Sequence, residues 1–342
     1  MKLRRVPGWL LISLCAFTAQ RSFAADYVGA AVCGECHSTE HGKHAESNHA
    51  RALHAIRGSP AGALLLQAGH SPDNTLRYEP DGDRIAIHEN SFDGMPELEW
   101  AFGAGAQGIT PVGRLDRQYF EFQFSYYARA RAWAPTFGHP RQVSTPLARI
   151  GILQDSKTIF RCFNCHGTGV REQPDGPDLS HMLPGVQCER CHAPGGAHVE
   201  AAKSGQPKQA VRNAIVNPGR FPRKALVEIC GECHRLPLPD SGDEPELENS
   251  VNVRFAPMGL LASRCFRESK TLSCLTCHDP HENAKPRSDA AYTQKCLACH
   301  ATAVRAGQHC RRSERQNCLP CHMRQASLGP YLRFTDHRIR VY

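Results

Sequence analysis

Beyond its first two dozen residues the chain has no stretch approaching the ~20 consecutive apolar residues that a membrane-spanning helix needs, so no integral membrane segment is expected there. Long runs of lysine and arginine are also missing, which argues against nucleic-acid binding. Methionine is scarce: past the N-terminal region only Met95, Met182, Met258 and Met323 remain. Residues 60–161 contain no cysteine at all. What the N-terminus does have is a basic start (Lys2, Arg4, Arg5), a short apolar stretch from Trp9 to Phe17, and small residues in Ser22-Phe23-Ala24. This is the pattern of a signal peptide over 1–24, cleaved near Ala24, and it predicts a periplasmic or otherwise exported protein.

Against these absences stand 17 cysteines, a high number for 342 residues. Fourteen of them fall in seven copies of one pattern: Cys33-Gly-Glu-Cys36-His37, Cys162-Phe-Asn-Cys165-His166, Cys188-Glu-Arg-Cys191-His192, Cys230-Gly-Glu-Cys233-His234, Cys274-Leu-Thr-Cys277-His278, Cys296-Leu-Ala-Cys299-His300 and Cys318-Leu-Pro-Cys321-His322. Residues i, i+3 and i+4 share one face of a helical turn. Two thiols can therefore add to the vinyl groups on one porphyrin edge while the imidazole reaches the iron from below. Zinc ribbons pair CxxC units without requiring the histidine, and here it is present seven times in seven. Seven covalently bound haem c groups are predicted.

The motifs begin at 33, 162, 188, 230, 274, 296 and 318, so six lie in the last 181 residues. So little protein per haem cannot build an ordinary core, and the porphyrins must themselves be packed in it. The predicted fold is mainly α with much irregular loop, a multihaem cytochrome c fold around stacked haems with a small β-rich insert. Its predicted units are an N-terminal single-haem module (25–59), the haem-free insert (60–161) and a six-haem module (162–342). Within the insert, Thr75 to His88 predicts two short strands around the turn Pro80-Asp81-Gly82-Asp83. Phe120, Phe122, Phe124 and Tyr126 alternate with polar residues, the period of one half-buried strand. The formal charge of +8 falls to +4 once Lys2, Arg4, Arg5 and Arg21 are removed. Roughly fourteen haem propionates outweigh that excess.

Twelve histidines lie outside the motifs. With methionine scarce, a second histidine is the expected sixth ligand. His198 and His281 follow a motif histidine too closely to bend round to the far face of the same haem, but they can reach a neighbour. His49 and His337 come next as sixth-ligand candidates, while His54, His139, His181 and His309 stay open. The first haem, flanked by His41, His44, His49 and His54, is the candidate for an open iron.

Tyr27-Val-Gly-Ala-Ala-Val-Cys33, the following Ser47-Asn48-His49-Ala50-Arg51-Ala52, Gly185-Val186-Gln187-Cys188 through His192-Ala-Pro-Gly, Leu272-Ser-Cys274 through His281, and Phe334-Thr-Asp336-His337-Arg338-Ile339 together resemble cytochrome c-552/c-554-type multihaem proteins. The tetratricopeptide repeats that some similar proteins carry are not in this chain. The resemblance implies electron carriage, with His49, His198, His281 and His337 as distal ligands. It also implies a Cys265–Cys310 disulfide. Similar proteins often have another histidine just before the final Thr-Asp-His. Ser327 to Arg333 has none, which leaves one haem to take its ligand elsewhere or to lack it.

The functional expectation is a periplasmic heptahaem relay between redox partners, a quinol-linked membrane donor or a terminal reductase. The alternative is an oxidoreductase acting on a small nitrogen or sulfur compound at one five-coordinate haem. No catalytic residue is assigned by sequence, and electron transfer is favoured over catalysis.

Overall fold

The computed structural model describes residues 27–235, 250–284, 288–301 and 317–341. The signal peptide, His309 and Cys310 lie outside the described residues. Helix covers 39% and strand 22% of what is described, so the mainly α expectation gives way to a mixed architecture. The reason lies in the haem-free stretch, which contains eight strands.

Its strands are β1 (Leu53–Ala55), β2 (Leu76–Asp81), β3 (Arg84–Glu89), β4 (Glu97–Phe102), β5 (Thr110–Leu115), β6 (Gln118–Phe122), β7 (Phe124–Tyr127), β8 (Ala132–Pro135) and β9 (Gly151–Leu153). One antiparallel sheet runs β2-β3-β4-β5-β6-β9, and β1 adds to the end of β4. The β2–β3 hairpin closes on Gly82-Asp83, with Gly82 at φ 53°, a conformation glycine adopts without strain. Strands β7 and β8 form a separate hairpin.

The alternation expected across Phe120–Tyr126 changes phase at Gln123. Phe120 and Phe122 are buried, but beyond them Gln123, Ser125 and Tyr127 point inward. Gln123 satisfies its buried amide by donating to the Pro140 carbonyl and meeting His139. A single strand becomes two because the chain leaves one sheet there and enters another.

The large sheet buries both faces. One face, with Leu76, Ile85, Leu98, Phe120 and Phe122, packs on the helix Pro60–Ala68. The other, with Leu53, Phe102, Val112 and Tyr119, packs on Ile159 and Phe163. Those two residues belong to the helix Ser156–His166, whose N-cap Asp155 accepts from the Thr158 amide and hydroxyl. The second motif occupies the C-terminal end of this helix. The insert is therefore a wall built against one haem site.

The N-terminal segment is pinned to the third motif by a buried carboxylate. Glu189 accepts from the backbone N–H groups of Val28, Gly29 and Gly195 at 2.7–3.1 Å. A carboxylate serving three amides needs its full charge. Glu189→Gln is expected to cost about 3 kcal/mol and to lower the thermal midpoint, read by following the unfolding of the haem-loaded protein. Among the described residues no helix is long and apolar enough to cross a membrane.

Candidate haem sites

Each motif sits on a helical turn, as the chemistry of two thiols and an imidazole requires. The second and third motifs lie in Ser156–His166 and Cys188–His192, the fourth in Arg223–His234 and the sixth in Asp289–His300. In the first, fifth and seventh, the histidine amide donates to the first cysteine's carbonyl at 2.9–3.0 Å.

Four motif histidines face a second histidine. The ring centres of His37 and His198 are 6.3 Å apart, those of His192 and His281 6.2 Å, those of His278 and His337 6.2 Å, and those of His49 and His234 6.0 Å. Two imidazole nitrogens bound on opposite sides of one metal, each about 2 Å from it, hold the ring centres about 6 Å apart. The spacing therefore fits an iron held between each pair. The interplanar angles range from 8° for His192–His281 to 67° for His49–His234.

The orientation of the rings is also fixed. Nδ1 of His49 meets the Pro280 carbonyl, His192 that of Val216, His198 that of Val211, His322 that of Arg340 and His337 that of Thr335. His281 uses the Asp279 carboxylate at 3.0 Å. With Nδ1 occupied, Nε2 is left for a metal. Burial lowers the pKa of His166 and His337, and lowers that of His234 to about 4. A neutral imidazole is the form that binds iron.

The four pairs follow a rule. The residue after the third motif meets the first, the one after the fifth meets the third, and the one after the seventh meets the fifth. His49, after the first motif, meets the fourth. No pair joins a motif to a histidine of its own segment.

The thiols link the motifs in a consistent order. Four pairs of motif thiols lie side by side: Cys33 with Cys188, Cys165 with Cys233, Cys230 with Cys274, and Cys296 with Cys318. Cys230 and Cys233 lie within electrostatic reach of Cys191, and Cys277 within that of Cys296. The attachment edges thus run first, third, fourth, fifth, sixth, seventh, with the second branching from the fourth. Burial pushes the Cys33, Cys162, Cys191 and Cys296 thiols up to about 11.

The first motif, singled out as the candidate open site, has His198 opposite it. His166 of the second motif, half-buried, has no histidine ring facing it among the described residues. Its Nδ1 meets the Ala52 carbonyl at 2.9 Å, and its aromatic neighbour is Phe102, 5.2 Å away edge-on. No facing ring stands by His300 or His322 among the described residues either. His139 has both ring nitrogens engaged, by Gln123 at 3.1 Å and Glu121 at 3.0 Å. His44 is buried and meets the Val186 backbone. In sequence His44 is one of the histidines flanking the first motif, and no local signal marks it as buried.

A family model for cytochrome c554 and c-prime matches residues 117–193, which carry the second and third motifs. No curated protein sequence matches the chain. Among solved structures the chain is similar to the outer cell wall cytochrome OcwA, at 14% identity and a TM-score of 0.52, over 92% of this chain and 79% of that one. It is also similar to an undecahaem cytochrome from the S-layer of Carboxydothermus ferrireducens, at 15% identity and a TM-score of 0.45, over 83% of this chain and 43% of that one. The chain shares its fold with OcwA and matches the cytochrome c554 family over the second and third motifs, consistent with a multihaem cytochrome c and with haem c as the cofactor.

Proposed function

We propose that this chain is an exported cytochrome carrying seven covalent haems and relaying electrons between redox partners. The observation that carries the reading is the set of four opposed imidazole pairs at 6.0–6.3 Å. Irons capped on both sides change oxidation state without binding substrate, which is the work of a carrier. Haem c supplies one-electron redox chemistry. The polypeptide supplies ligands locked through Nδ1 and attachment edges set side by side.

His37, His166, His192, His234, His278, His300 and His322 are the proximal ligands in this reading, with His49, His198, His281 and His337 distal. The donor is a quinol-linked membrane protein and the acceptor a terminal reductase or another cytochrome. The signal-like N-terminus supports export, and OcwA is an outer cell wall cytochrome.

The test is a haem count by pyridine haemochrome absorbance together with the intact mass, followed by a potentiometric titration. Seven haems and several low-potential one-electron waves are expected. A count below seven, or a protein that exchanges no electrons with a low-potential mediator, sinks the relay. A second reading, ligand chemistry at one open iron, is favoured by one observation alone: among the described residues no histidine ring faces His166, His300 or His322.

A further inference from the structure

Fourteen residues stand between paired cysteines in the seven motifs, and one of them is a cation: Arg190, in Cys188-Glu189-Arg190-Cys191-His192. Its side chain does not point away into solvent. Nε donates to the Asn164 carbonyl of the second motif at 3.4 Å. Nη2 donates to the Glu232 carboxylate of the fourth motif at 2.9 Å, and lies 3.8 Å from the Cys233 sulfur. The Cys165 sulfur is in turn 3.7 Å from the Glu232 carbonyl oxygen.

Asn164, Arg190 and Glu232 each come directly before the second cysteine of their motif. The same position of three helical turns, far apart in sequence, therefore meets at one guanidinium. A planar fork of N–H donors suits this task, since it can serve a carbonyl and a carboxylate in different directions at once.

The place of the charge also matters. The thiols add to the vinyl edge of a porphyrin, and the propionates leave from the opposite edge. A guanidinium against Cys233 is thus on the wrong side to neutralise the propionates of the haem held there. It acts instead on the iron: reduction removes one positive charge, and a fixed positive charge nearby favours that step. Glu232 opposes this only in part. Its side chain is 53% exposed against 21% for Arg190, so water screens the carboxylate more than the guanidinium.

We propose that Arg190 is the positioning residue of a three-way haem junction: it ties the attachment turns of the second, third and fourth haems together and raises their potentials as a group. Electrons on the line then collect where the second haem branches off, instead of draining straight to either end. The proposal rests on the relay reading, and the haem count tests that reading separately.

The experiment is a potentiometric titration of the fully loaded protein and three variants, with haem content and thermal midpoint measured on each. Arg190→Gln should lower three of the seven waves and leave four in place. Each lowered haem should lose at least threefold in its reduction equilibrium, about 30 mV for one electron. Glu232→Gln, which removes the counter-charge, should move the same three waves upward. Arg190→Lys keeps the charge but not the fork, so it should restore the potentials while its thermal midpoint stays below that of the unaltered protein. Unmoved waves in both glutamine variants overturn the proposal, because an arginine with a purely structural part would lower the midpoint alone. So does a shift shared by all seven waves, or an Arg190→Lys protein whose waves fall as far as those of Arg190→Gln. If Arg190→Gln fails to load its haems, Glu232→Gln decides: an upward shift confined to three waves supports the junction, and any other result removes it. Seven attached haems with unmoved waves would leave the relay standing while the junction falls.

Discussion

His281→Met is expected to raise the potential of one haem by on the order of 0.1 V or more, within the ~0.8 V range that axial ligands span. Methionine opposite histidine favours the reduced iron relative to two histidines. The affected haem is the third, because His281 faces His192 with the rings nearly parallel at 8°. In the order of attachment edges that haem lies between the first and the fourth. A high-potential site in the middle of a line holds its electron instead of passing it on. A potentiometric titration should show one wave displaced upward, and stopped-flow reduction should show the first haem falling behind the rest. A displaced wave with unchanged kinetics would mean that electrons bypass the third haem.

Phe163→Ala is expected to cost about 3–5 kcal/mol, the usual range for emptying a packed aromatic site. Phe163 is fully buried and touches Trp100, Phe102 and Tyr119, with ring centres at 5.7, 5.0 and 5.5 Å. It lies two residues before Cys165, so its loss also frees the second motif from the sheet behind it. A lower thermal midpoint and a smaller haem content should appear together. If the midpoint falls while all haems remain attached, the insert stabilises the fold without organising that site.

Local chemistry was legible in sequence because it is local. The spacing of Cys, Cys and His carries the attachment sites, and Pro80–Asp83 marks the first hairpin. Partners of the irons were harder, because 59 to 185 residues separate the opposed histidines (278 to 337 and 49 to 234). Simple reach, that His198 and His281 cannot bend back on their own haems, pointed to a neighbour without saying which one. The phase change at Gln123 was hidden, since Phe124 and Tyr126 continue the alternation while their backbone moves to another sheet. Glu121 and His139 stand eighteen residues apart on a strand and a loop, a separation no periodicity reveals. The share of sheet was underestimated because β4 and β5 bury residues in irregular patterns around a bulge between Leu98 and Trp100.

The pairing rule among histidines has a consequence for biogenesis. With an iron between them, His37 and His198 become a staple closing 161 residues of chain (37 to 198), and His192 with His281 closes 89 (192 to 281). Such staples remove conformational freedom from the unassembled chain, more so for longer loops. Yet each can shut only after a later stretch of polypeptide is present. The first haem waits for the segment after the third motif, the third for the segment after the fifth, and the fifth for the last residues of all. Locking then follows the order first, fourth, third, fifth, and a chain cut before His337 leaves the fifth iron unlocked.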